Sequence, residues 1–299
     1  MQNRVWKSLV LETQFATELV LIGLRKLCGV PTESSGNEMI GSGHWRHAIY
    51  LGLYEYSAGL ERLAKVAIAC HKYRQDDGVF PNLRPYSHRI GKLLKDVAEA
   101  VPEDSPFSSP YLEDGKQSEN DLDTSLTELI DRFAAGAGRY ENLDSLSKVE
   151  HFEDSHVMWS KLASKAVVTD EVHVLMGLRD ALDNVIEDEL IHLNLDGATD
   201  LTEGMRFRAS ESSVGLVLGL FKKVRLVAVL IDVATTMPDE NLPHLGEIVG
   251  PVFLHSAADF FKYHIVQLGD DYIVREQVTE AYQRILQRDN FDDYGPSGN

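Results

Sequence analysis

Apolar residues recur at steps of three and four through nearly every long segment of this chain, and that spacing is what most restricts its fold. Ile49, Leu53, Tyr56, Leu60, Leu63 and Ala67 form one such stripe within residues 47–70. Ile90, Leu93, Leu94, Val97 and Val101 form the next, in a helix expected to start near Ser87. Leu122, Leu126, Leu129, Ile130 and Phe133 form a fourth helix. Ahead of these, residues 5–27 carry a broad apolar face that includes Leu9, Ala16, Leu19, Val20 and Leu27, and Gly29 and Pro31 stop it. No segment alternates with a period of two, so the pattern predicts an all-α protein.

Four helices within residues 1–150 suffice to bury one bundle core. A second helical domain is expected over 151–288, with helices at 151–167, 170–193, 214–233, 251–268 and 271–287, and an acidic tail over 289–299. Two stretches interrupt the pattern in the first half. Residues 32–43 read as a polar loop, and residues 101–123 read as an exposed, Pro-containing acidic insertion. The segment 214–233 has the length of a membrane span, but Lys222, Lys223 and Arg225 fall near its centre, where charge is most costly in lipid. It therefore reads as a central buried helix. The start, MQNRVWKSLVLETQ, has no cleavable apolar core. These features lead to an expectation of a cytoplasmic protein with no membrane partner.

The 299 residues hold 29 Lys and Arg against 47 Asp and Glu, a net charge of −18. That balance argues against a general nucleic-acid coat or a polybasic membrane binder, since both need a cationic field. Residues 101–123 concentrate the charge, with Glu103, Asp104, Glu113, Asp114, Glu119, Asp121 and Asp123 against Lys116. Cys28 and Cys70 are too few for a disulfide framework and fit a reducing compartment.

Three motifs in the first half carry a family resemblance. HWRHAIYLGLYEYSAGLERLAKVAI places Trp45 at a helix start, then Gly59-Leu60-Glu61, then Lys65 four residues on. YSHRIGKLL puts a small residue and His88 at the entry of the next helix, and RYENLDSL follows the fourth helix. In these respects residues 1–150 resemble the HEPN family of helical-bundle proteins. Many HEPN proteins are metal-independent endoribonucleases of toxin–antitoxin, phage-defence and CRISPR systems. Their site is an Arg and a His separated by four to six residues and duplicated across a homodimer.

The resemblance implies His88 as acid and base for a ribose 2′-hydroxyl, and Arg84 as a two-pronged phosphate clamp. It implies RNA as substrate and no cofactor. This sequence departs from the family spacing, because only Pro85, Tyr86 and Ser87 separate Arg84 from His88 and no other Arg–His pair supplies the family's interval. Pro85 biases Arg84 toward an extended conformation outside the helix that His88 opens. Arg139 is a substitute arginine candidate. The competing expectation is a non-catalytic bundle serving dimerisation or docking of a protein partner.

Two Glu-x-x-His steps, Glu153–His156 and Glu189–His192, have the spacing used in carboxylate-bridged di-metal bundles, with Glu128 and Glu171 as further carboxylates. Their bland reading is exposed helix faces in an acidic chain. The basic patches FKKVR (221–225) and MRFRAS (205–210) would bind a phosphate or pair with nearby acids, and His244, His255 and His264 read as ordinary surface or core histidines. Gly215 and Gly219 form a small-residue step that favours close helix packing.

Overall fold

A computed structural model describes residues 4–28, 42–102, 121–135, 154–166, 211–261 and 264. These residues are helical, with no strand among them. The helices are α1 (Arg4–Cys28), α2 (Ser42–Gln75), α3 (Ile90–Ala100), α4 (Asp121–Ala134), α5 (Ser155–Lys165), α6 (Glu211–Thr235), α7 (Gly246–Phe253) and α8 (Ala257–Phe260). A short 3₁₀ turn, Arg84–Tyr86, precedes α3.

The long helix α2 packs against α1, α3, α4, α5 and α6. Its stripe residues Leu53, Tyr56, Leu60, Leu63 and Ala67 have no solvent exposure. The helix begins at Ser42, earlier than the polar-loop reading of residues 32–43 allows. It ends in a left-handed turn at Asp77 (φ 48°) and Gly78 (φ 84°), where the Gly78 N–H donates to the Tyr73 carbonyl.

α1 and α2 run antiparallel at a separation that glycine permits. A Cβ on Gly23 would lie 2.6 Å from the Tyr56 nitrogen, and one on Gly59 would lie 2.8 Å from the Ala16 carbonyl oxygen. Ion pairs flank this seam, Lys26 with Glu55 at 2.7 Å and Arg62 with Glu12 at 2.6 Å.

α6 is buried almost all round because α1, α2, α3, α5 and α7 cover it. The fully buried Tyr56 hydroxyl donates to the Leu220 carbonyl at 2.7 Å and ties α2 to α6. Gly219 meets Leu126 of α4, as close helix packing requires. Two of the charges in FKKVR are themselves buried. Lys223 pairs with Asp123 of α4, and Arg225 donates to the His255 carbonyl at 2.7 Å and stacks on Phe221. The core these helices share draws on residues from both sides of position 150, including Phe133, Trp159 and Phe221. Both cysteines are buried, and burial pushes the Cys70 thiol up to about 12.

Several expectations need correction. Val101 is buried in the core, and Asp121 and Asp123 belong to α4, so both ends of the 101–123 insertion are packed structure. Residues 103–120 lie outside the described residues. Pro251 sits inside α7 and does not open a helix. α7 starts earlier because the Thr235 hydroxyl, at the end of α6, accepts from the Leu245 and Gly246 N–H groups. The expected helices at 170–193 and 271–287 lie outside the described residues.

Gly23→Ala should cost roughly 1–3 kcal/mol of unfolding free energy in denaturant titration, since the added methyl must push two helix backbones apart. The Lys223–Asp123 pair gives a second prediction. Burial lowers the Lys223 pKa despite Asp123, so the ammonium carries a folding penalty at neutral pH that fades only toward the ordinary lysine range. Asp123→Ala should therefore cost about 3 kcal/mol, and adding Lys223→Met should recover most of it. Equal stability of the single and double variants would refute that assignment.

Candidate functional site

The chain between α2 and α3 builds the site. The 3₁₀ turn carries Arg84 and Pro85, and its third residue, Tyr86, is buried. Ser87 follows with a φ of 50° and a ψ of −125°, a positive-φ conformation that residues other than glycine rarely adopt. Arg89 caps α3 without a side-chain hydrogen bond. The cap comes instead from α4, where the Asp131 carboxylate accepts from the Gly91 N–H at 3.1 Å. α3 is thereby fixed by a residue forty positions away, and the turn before it is held at a defined place on α2.

His88 sits in this turn, two residues ahead of α3. Its side chain is half exposed, and its Nδ1 lies 3.0 and 3.1 Å from the two carboxylate oxygens of Glu61. Glu61 projects from α2 and is nearly buried. Lys65, one turn along the same helix, donates to Glu61 Oε1 at 2.6 Å and to the Ser87 carbonyl at 2.7 Å. One ammonium thus neutralises the carboxylate and pins the positive-φ residue beside the imidazole.

Glu61 and Lys65 belong to one of the sequence motifs that carry the HEPN resemblance, and His88 belongs to another. The fold brings these two motifs into contact. Trp45 lies in the first turn of α2. The RYENLDSL motif, with Arg139, lies outside the described residues.

Arg84 departs from its expected conformation. It is in the 3₁₀ turn and not extended, because Pro85 occupies the start of that turn, where its fixed φ is compatible. Arg84 is exposed, and no hydrogen bond or ion pair joins its guanidinium to His88 among the described residues. His88 also does not open α3 as expected, since the 3₁₀ turn and Ser87 delay the helix to Ile90.

The segment around His88 in sequence is cationic. Arg84, Arg89, Lys92 and Lys95 are all exposed, and no Asp or Glu lies between residues 82 and 95. Behind them, the Tyr86 ring lies 5.2 Å from the Lys92 ammonium and 5.8 Å from that of Lys72. Burial and a hydrogen bond to Asp96 push the Tyr86 phenol above its ordinary value. Residues 82–95, which present His88, thus carry exposed cations and no carboxylate of their own, in a chain that is acidic overall.

The remaining candidates do not gather around this point. His156 lies on α5 and Glu128 is exposed on α4, while Glu153, Glu171, Glu189 and His192 lie outside the described residues. Residues 205–210 lie outside them as well. Among the described residues, no three His, Cys, Asp or Glu side chains are placed to hold a metal ion. His244 faces Asp232 at 3.4 Å, His255 is exposed, and His264 contacts the Pro251 carbonyl at 3.2 Å. Burial lowers the His264 pKa. Among the described residues, no helix is long and apolar enough to cross a membrane.

The sequence places Glu61 and Lys65 in one resemblance motif, four residues apart, and does not join them to His88. The shared signal was their membership in the resemblance motifs. In comparisons with known proteins, no family profile matches the chain, and no curated protein and no solved structure matches it.

Proposed function

We propose that this protein cleaves RNA by attack of a ribose 2′-hydroxyl on the adjacent phosphate, without a metal ion. The observation that carries the reading is the half-exposed His88 imidazole held at one nitrogen by a nearly buried carboxylate. That arrangement leaves the other nitrogen open to a substrate. In the reaction, His88 removes the 2′-hydroxyl proton as the oxygen attacks phosphorus. The bond from phosphorus to the 5′-oxygen breaks, and a proton is returned to that oxygen. The products are a 2′,3′-cyclic phosphate and a 5′-hydroxyl. Arg84 holds the phosphate oxygens and offsets the charge that builds on them.

A second copy of the chain completes the pocket in this reading, its equivalent histidine protonating the leaving oxygen. The exposed cations around the site support an anionic substrate, despite the overall charge of −18. A stress or phage-defence role goes with this activity.

A second reading rests on a different observation. Leu11 and Phe15 on α1 and Leu51 and Tyr54 on α2 are exposed apolar side chains, which supports a helical docking protein. The two readings part at His88, which docking would not require.

The test incubates the full chain with total cellular RNA in the presence of a chelator. Wild type should yield cyclic-phosphate and 5′-hydroxyl ends, and His88→Ala should lose roughly 100-fold or more of the rate. Absence of cleavage by wild type, or equal cleavage by the variant, would leave the docking reading.

A further inference from the structure

We infer that Glu61 is a positioning residue that fixes which nitrogen of His88 carries the proton, and that Lys65 fixes where the imidazole stands. The catalytic consequence rests on the RNA-cleavage reading above, but the geometry does not. Glu61 forms an ion pair with the Lys65 ammonium at 2.6 Å. An ionised carboxylate accepts hydrogen bonds and has none to give. The contacts of 3.0 and 3.1 Å at Nδ1 therefore require the proton to be on Nδ1. The neutral imidazole then presents a lone pair at Nε2, which is the atom a general base needs. Neutral histidine free in water favours the opposite tautomer, so this assignment is imposed by the protein.

Lys65 supplies the second half of the device. The same ammonium that balances Glu61 reaches the Ser87 carbonyl at 2.7 Å. Ser87 holds a positive φ of 50°, a conformation that costs energy and persists only where neighbours determine it. The Ser87 N–H also donates to the Arg84 carbonyl at 3.0 Å, closing the turn on the side of the arginine. The spacing of Glu61 and Lys65 by one helical turn puts both groups on the same face of α2, where the turn lands. A carboxylate with an adjacent ammonium that also grips the backbone beside the histidine specifies more than an ion pair would need for charge balance.

The experiment is a long-range nitrogen–proton NMR correlation on the ¹⁵N-labelled full chain, which reads the tautomer of each histidine without any substrate. The His88 signals are assigned by their loss in His88→Ala, and spectra are taken where the imidazole is neutral. Wild type should show the Nδ1–H form at His88. Glu61→Gln should shift His88 toward the Nε2–H form, because the amide can also donate to Nδ1. A wild-type His88 in the Nε2–H form overturns the inference, and so does a tautomer unchanged by the substitution. Should Glu61→Gln fail to fold, as judged by circular dichroism, the wild-type spectrum alone decides.

In the RNA assay, Glu61→Gln should lower kcat by about 10-fold or more with KM unchanged, because the fraction of His88 in the Nε2–H form has no lone pair to act as base. A protein that shows the Nδ1–H form yet cleaves no RNA would retain the positioning role and lose the catalytic one.

Discussion

Glu61 is a carboxylate placed on the central helix with little access to water, and such a group must be matched by its surroundings or it destabilises the fold. Lys65 meets it from one turn away, and the chain returning from the end of α2 brings His88 to the same carboxylate. The route of that return follows. Pro85 starts a 3₁₀ turn, Ser87 takes a positive-φ conformation under the hold of Lys65, and α3 begins where Asp131 of α4 can cap it. The placement of α2, α3 and α4 around one another is thus coupled to a single buried charge and its partners.

The same economy of buried charge recurs in α6. Its apolar surface is covered by five other helices, and the two of its three cations that are buried, Lys223 and Arg225, each meet a defined acceptor. Asp123 reaches Lys223 from α4, and the His255 carbonyl reaches Arg225 from beyond α7. Further polar tethers join α6 to its neighbours, among them the Tyr56 hydroxyl on the Leu220 carbonyl, the Arg74 guanidinium on the Ala234 carbonyl and the Thr235 hydroxyl under the start of α7. Around this helix the α1–α2 pair closes through glycine contacts, which keeps the face of α2 opposite Gly59 free to carry Glu61 and Lys65.

The helices were legible in the sequence wherever burial writes itself as a spacing of three and four. α1 and α4 match the apolar stripes within a residue or so, and α6 was recognisable as central from its all-round apolarity. What depends on distant partners was not legible. The sequence cannot show that Lys223 finds Asp123 one hundred positions away, or that Thr235 starts α7 ahead of Pro251. The site divides in the same way. His88 and Arg84 were identifiable by residue type and neighbourhood, and Glu61 and Lys65 by their helical spacing. Their meeting is a tertiary contact across 27 positions, and the positive φ of Ser87 that makes it is not a conformation that serine announces.

Either His88 is present for Glu61 or Glu61 is present for His88. Denaturant unfolding of His88→Ala beside Lys65→Met separates the two. If Lys65 balances the carboxylate and the half-exposed imidazole is there to act on a substrate, His88→Ala should lose less than about 1 kcal/mol, as exposed pairs do, and Lys65→Met several times more. A loss on His88→Ala equal to that on Lys65→Met would make the histidine a structural counter-charge and contradict the account.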